Sequence, residues 1–136
     1  MKTITKLFFA VLLVSGLFSF SQQKTNPLAN TEWKGVANIP TPAEVIFRFN
    51  TDDLDLVYQG NVIEKMKYSL TDQGGLKLLK IEGNSPCDTK EEGSYRYQIT
   101  DDTLNFILVN DNCVQREAAF DGNGYKKIFI GSSQIN

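Results

Sequence analysis

Histidine is absent from this chain of 136 residues, and cysteine occurs only twice, as Cys87 and Cys113. Without histidine, neither a Ser-His nor a Cys-His pair can activate a nucleophile. Two cysteines without histidine also make a poor zinc site, because structural zinc takes four nitrogen or sulfur ligands. The adjacent carboxylates lie at or beside predicted turns, where acidic residues are common for local reasons. We therefore predict no catalytic residue, metal or cofactor, and we do not expect an enzyme.

Runs of basic residues are also missing. The 14 lysines and arginines are mixed with 16 acidic residues, and the net charge is −2 at pH 7. Nucleic-acid binding needs clustered cationic side chains that neutralise phosphates. We therefore expect no nucleic-acid partner.

The longest apolar segment is N-terminal, at residues 7–20, and Lys2 and Lys6 precede it. It is shorter than the roughly 20 residues that a membrane-spanning helix needs. Ser19 and Ser21 are the small residues that a signal peptidase reads. The sequence thus predicts a cleaved signal peptide at residues 1–21, no membrane span after cleavage, and a secreted or periplasmic protein without a lipid-attachment cysteine.

In such an oxidising compartment, two cysteines on a small domain predict a disulfide. A bridge between Cys87 and Cys113 would stabilise the fold by about 3–4 kcal/mol in the chain-entropy description.

Alternating apolar and polar residues dominate the rest of the chain. In one such segment Val45, Phe47 and Phe49 share a face, opposite Glu44 and Arg48. Repeated alternation between turn clusters predicts an all-β sandwich or barrel. Short connections favour an antiparallel up-and-down meander, and closure into a barrel of about eight to nine strands removes the open edges.

This barrel is expected at residues 28–130, after a flexible leader at 22–27 and before a polar tail at 131–136. No helix is predicted. The segment 113–120 is predicted as a strand, with Cys113 and Arg116 on opposite faces.

A barrel of about eight strands either fills with side chains or holds a small ligand. Aromatic residues with polar tips suit a cavity wall, although aromatic residues also simply form cores. The candidate ligand-binding residues on the predicted inward faces are Phe47, Phe49, Tyr58, Met66, Tyr68, Tyr95, Tyr97 and Phe106.

Glu64 and Arg116 are also predicted on core-facing positions, where a charge needs a partner. Three roles stay open for them: to pair with each other, to orient a ligand, or to close one end of the barrel.

An early tryptophan, Trp33, and a late Asp111-Asn112-Cys113-Val114-Gln115-Arg116 segment accompany the predicted meander. Together these features resemble the lipocalins and the wider calycin group, in particular small secreted lipocalin-like proteins of Bacteroidetes-type bacteria. The resemblance implies that Trp33 lies at the closed end of the barrel and that Arg116 packs across it by cation–π attraction.

The inward aromatic residues and the resemblance favour a barrel that binds a small hydrophobic ligand. The alternative is a protein-interaction or inhibitor module with a side-chain-filled barrel that acts through its loops. Residues 82–93, the longest predicted corner, would then be the contact.

Overall fold

The fold comes from a computed structural model that describes residues 25–122 and 124–129. The predicted signal peptide and the polar tail lie outside the described residues. The described part contains β1 (Thr31–Asn38), β2 (Pro42–Phe49), β3 (Asp53–Tyr58), β4 (Asn61–Thr71), β5 (Gly75–Gly83), β6 (Glu92–Thr100), β7 (Thr103–Asn110), α1 (Val114–Phe120) and β8 (Gly124–Ile128).

The strands form a closed antiparallel barrel in which each strand pairs with its neighbour in sequence and β8 pairs with β1. The prediction of an all-β up-and-down barrel is confirmed. In the described part it has eight strands, because the last segment before β8 is helical.

The prediction of a strand at residues 113–120 is wrong. Arg116, Ala119 and Phe120 are the buried residues of α1. Their spacing of three and four matches the period of a helix, whereas a strand would turn Arg116 and Ala119 to opposite faces. Cys113 stands at the N-cap.

The two ends of the barrel differ. β8 is short and pairs with β1 at residues 32–34 and with β7 at residues 103–105. α1 packs against the same two strands, β1 and β7. We call one end of the barrel the helix end; it contains α1, the β1–β2 and β3–β4 turns and the loop 84–91. We call the opposite end, which contains the β2–β3, β4–β5 and β6–β7 turns, the turn end.

An aromatic cluster fills the middle of the barrel. The ring centroid of Phe47 lies 5.8 Å from that of Phe106 and 4.7 Å from those of Phe120 and Tyr125. The Tyr125 hydroxyl donates a hydrogen bond of 2.7 Å to the carbonyl oxygen of Ala119. Because Phe120 and Ala119 belong to α1, the helix is docked into the core.

At the turn end, Trp33 is buried and its Nε1 donates a 2.8 Å hydrogen bond to Thr31 Oγ1. Asn26, which belongs to the predicted leader, accepts hydrogen bonds from the backbone N–H groups of Leu28 and Ala29. It also donates a 3.0 Å hydrogen bond to the Tyr68 hydroxyl. These contacts fix the chain where it enters β1.

The predicted disulfide is confirmed. Cys87 and Cys113 are bonded, with Cα atoms 5.4 Å apart and a sequence separation of 26. The bond joins the loop 84–91 to the start of α1.

Candidate functional site

A cavity of about 560 Å³ lies at the helix end, between α1, the β1–β2 turn and the loop 84–91. Its size is within the range of small-molecule sites. The Ile39–Pro40 peptide in its wall is cis. The apolar part of the wall includes Ile39, Leu56, Ile63, Met66, Ala119 and Phe120.

Two buried charged residues, Arg116 and Glu64, also belong to this wall. Arg116 pairs with Asp111: Nε lies 2.6 Å from Oδ2, and Nη2 lies 2.8 Å from Oδ1. Nη2 also donates a 3.0 Å hydrogen bond to the Glu91 carbonyl oxygen. The side chains are only 2% and 0% exposed, so the pair is held away from water. A planar guanidinium that binds a carboxylate through two nitrogens has little freedom to turn.

Hydrogen bonds keep the Asp111 carboxylate ionised. Burial opposes its charge, but the hydrogen bonds from Arg116, from the Tyr95 hydroxyl and from the Cys113 backbone N–H together hold the pKa of Asp111 below its usual 3.8. Burial, followed by the hydrogen bond to Asp111, raises the pKa of Tyr95 far above its usual 10.0. Tyr95 is therefore a neutral donor to this carboxylate at neutral pH.

Gly93 makes room for the Arg116–Asp111 pair. A Cβ atom at this position would lie 2.3 Å from Asp111 Oδ2 and 2.9 Å from Arg116 Nε. Both distances are shorter than a van der Waals contact, so a side chain at position 93 would displace the ion pair.

Glu64 reaches the wall from β4. Ser85 donates to it twice, from its backbone N–H to Oε2 at 3.1 Å and from its hydroxyl to Oε1. Lys80 Nζ is 3.8 Å from Glu64 Oε1 and donates to the Ser85 carbonyl oxygen. Gly83, at φ +143°, lies so close that a Cβ would be 2.2 Å from Oε2.

The inward position predicted for Glu64 is thus observed, and Arg116 is buried as well. They do not pair with each other, since Arg116 binds Asp111 and Glu64 binds Lys80. The other two roles left open by the sequence, to orient a ligand and to close a barrel end, both fit residues in the wall of an end cavity.

The predicted packing of Arg116 across Trp33 is wrong. Arg116 contacts Glu91 at the helix end, whereas Trp33 lies near the turn end. Among the described residues, Lys127 is the cation found over the Trp33 indole, with Nζ 5.9 Å from the ring centroid. Trp33 is nevertheless part of the buried core, near the start of β1.

The eight predicted ligand-binding residues all lie in the core or against it. Six are buried, whereas Tyr58 and Tyr97 are partly buried. The structure brings Met66 into the wall of the helix-end cavity. Tyr68 and Tyr97 instead line a more polar depression of about 740 Å³ at the turn end. The inward-facing positions predicted from the alternation are therefore core positions. Most of these side chains pack against one another.

The contribution of α1 to the cavity is not predicted from the sequence. The sequence predicts a strand for Ala119 and Phe120, although their spacing from Arg116 is helical. That spacing is a helical signal, but seven residues are too few to separate it from an alternating pattern.

Within residues 25–122 and 124–129, no group of three or more metal-ligating side chains is found. The helix in this part of the chain is too short to cross a membrane. Comparison with protein-family models, with curated proteins and with solved structures gives no match.

Proposed function

We propose that this protein is a secreted or periplasmic, lipocalin-like barrel that binds a small hydrophobic molecule in the helix-end cavity. The observation that carries the proposal is the cavity of about 560 Å³ with an apolar wall that α1 completes. Burial of an apolar molecule there would contribute roughly 25 cal/mol for each Å² removed from water.

The exposed residues around the mouth of the cavity favour entry of a ligand at the helix end. Val114 is 68% exposed and lies on α1 at the cavity, and Gln115 and Asn84 are also exposed. An apolar interior behind a polar and partly apolar rim is the usual form of a small-molecule site. The disulfide holds two sides of this rim together, since Cys87 lies in the loop 84–91 and Cys113 is the N-cap of α1.

The first test is native mass spectrometry of the protein purified from its own host, before and after extraction with organic solvent. We expect a discrete extra mass that extraction removes. The mass of the protein without its ligand also tests cleavage after Ser21, because it can be compared with the mass calculated for residues 22–136. A bare mass before extraction, together with failure to bind a neutral apolar probe such as N-phenylnaphthylamine, would overturn the proposal.

A pair of variants locates the site. Ala118 lies in the cavity wall, and its replacement Ala118→Trp places an indole there. Glu117→Trp is the matched control, because Glu117 is its neighbour on α1 and is not a wall residue. We expect probe binding to be lost in Ala118→Trp and kept in Glu117→Trp, with both proteins folded by circular dichroism. Equal binding by the two variants would place the ligand elsewhere.

A second candidate function is a protein contact through the loop 84–91. The packed aromatic cluster favours it, because that cluster fills the middle of the barrel. Asp88, Thr89 and Lys90 are exposed and are not wall residues of the cavity. Asp88→Lys and Lys90→Glu should weaken a protein contact while leaving probe binding unchanged, which separates the two functions.

A further inference from the structure

The charges in the cavity wall are already balanced. The positive charge of Arg116 is met by Asp111, and the negative charge of Glu64 is met by Lys80. In the second pair the side chains are 11% exposed for Lys80 and 8% exposed for Glu64. Each charged residue of the wall is therefore compensated by a partner residue of the protein itself.

A charged ligand group would therefore enter as an additional, unpaired charge. Transfer of an isolated ionised group from water to an apolar site is strongly unfavourable unless a partner of opposite charge is present. Arg116 and Glu64 each already have a partner of opposite charge, so a further charge beside either of them would be left uncompensated. The wall thus disfavours both anionic and cationic ligands.

One hydrogen-bonding group of the wall residue Arg116 remains unused. Nη1 of Arg116 is buried and has no hydrogen-bond partner among the described residues. A buried donor without an acceptor costs about 1–3 kcal/mol, so a ligand acceptor at this atom would recover part of that cost. The other two nitrogens of the same guanidinium are fixed by Asp111 and by the Glu91 carbonyl oxygen.

We propose that the cavity selects an uncharged, apolar molecule that carries a hydrogen-bond acceptor of the carbonyl type, which accepts from Nη1 of Arg116. This inference rests on the proposed function and names its ligand class. Because Nη1 is covered, a side chain of the wall moves to admit the acceptor.

The test uses four ligands with matched alkyl chains and the full protein, produced in its host with the disulfide intact. Methyl decanoate is neutral with a carbonyl acceptor, decane is neutral without one, decanoate is an anion, and decylammonium is a cation. Each displaces the neutral probe N-phenylnaphthylamine in a fluorescence titration. We expect methyl decanoate to displace it at concentrations roughly three- to tenfold lower than decane, from the net value of one hydrogen bond. Decanoate and decylammonium should each displace the probe only at higher concentrations than methyl decanoate.

Each other outcome contradicts a stated part. Preference for decanoate or decylammonium over the ester overturns the selection of an uncharged ligand. Equal displacement by decane and the ester overturns the acceptor at Nη1, while the cavity as an apolar site stands. Probe binding that none of the four ligands displaces also contradicts the inference. Failure of the probe itself to bind removes the proposed function, and this inference with it.

A variant then assigns the preference to Arg116. Lysine can keep an ion pair with Asp111 but lacks the guanidinium fork, so Arg116→Lys should abolish the advantage of the ester over decane. Arg96→Lys, at an exposed position on β6, is the matched control and should keep that advantage. If a folded Arg116→Lys protein still prefers the ester to decane by the same factor, Arg116 is not the donor. If this variant misfolds, the four-ligand comparison in the unmodified protein still tests the inference.

Discussion

At Arg116 a permanent charge is buried beside an apolar cavity, and three other residues make this possible. Asp111 neutralises the charge, Tyr95 donates to the same carboxylate, and Gly93 leaves space for both side chains. Removal of one partner from a buried ion pair is much more costly than its net contribution, because the other charge is left alone. The cluster should therefore respond strongly to single substitutions.

The first residue-scale prediction concerns Gly93. Gly93→Ala should lower the free energy of unfolding by about 1–3 kcal/mol, since its Cβ forces the Asp111–Arg116 pair apart in a packed site. Gly124→Ala is the control, because the atoms nearest its Cβ belong to side chains, at 3.2 Å and 3.4 Å. Urea denaturation of both variants measures the difference. Equal stabilities would show that the pair tolerates a methyl group at this position.

The second residue-scale prediction concerns the dependence of stability on pH. The folded-state pKa of Asp111 is below its ordinary value, so its ionised form favours the folded state above about pH 4, and this contribution is lost as the pH falls through the folded-state pKa. Asp111→Asn should cost about 3–5 kcal/mol at pH 7 by leaving Arg116 unpaired. Its deficit relative to the unmodified protein should shrink as the pH falls below about 4. Urea denaturation at pH 7 and at pH 3 tests this, and a constant deficit would contradict it.

At the scale of elements, α1 converts an ordinary barrel into one with a candidate site. It packs against β1 and β7, which β8 pairs over only part of their length. It brings Phe120 into the aromatic cluster and Arg116 into the cavity wall. A seven-residue helix has little stability alone, so tertiary packing must hold it.

Phe120→Ala tests that docking. Removal of this buried ring, whose centroid is 5.0 Å from that of Phe106, should cost about 3–5 kcal/mol through lost burial and a residual cavity. Phe129, which is 65% exposed, provides the same substitution outside the core. Phe129→Ala should change the free energy of unfolding by no more than about 0.5 kcal/mol. Similar values for the two variants in thermal or urea denaturation would mean that α1 is not anchored by Phe120.

The barrel could be predicted from the sequence, but α1 and the cavity could not. Alternation such as Val45, Phe47 and Phe49 reports a strand directly, because neighbouring side chains point to opposite faces. Residues 114–120 give fewer than two full helical turns, too few to separate a helical period from an alternating one. The wall of the cavity combines residues that are distant in sequence, such as Leu56 and Phe120. Local sequence patterns do not report which distant segments meet.

At the scale of the whole molecule, the disulfide joins the barrel to its helix. β1 to β7 are held by continuous antiparallel pairing, whereas α1 follows β7 through a short connection. The bond between Cys87 and Cys113 ties that connection to the loop after β5, on the other side of the cavity. The helix end should therefore be the part of the described fold most dependent on the bond.

Replacement of both cysteines, Cys87→Ser with Cys113→Ser, should lower the free energy of unfolding by about 3–4 kcal/mol, because the unfolded chain loses its cross-link. The loss should also be local in the folded protein. Hydrogen exchange should accelerate most in α1 and the loop 84–91, while amides in the middle of β2 to β5 keep the greatest protection. Uniform acceleration in all elements would show that the bond acts only on the unfolded chain, and then the cavity would not depend on it. Preferential acceleration at the helix end should be accompanied by weaker probe binding, since the same two segments form the cavity wall.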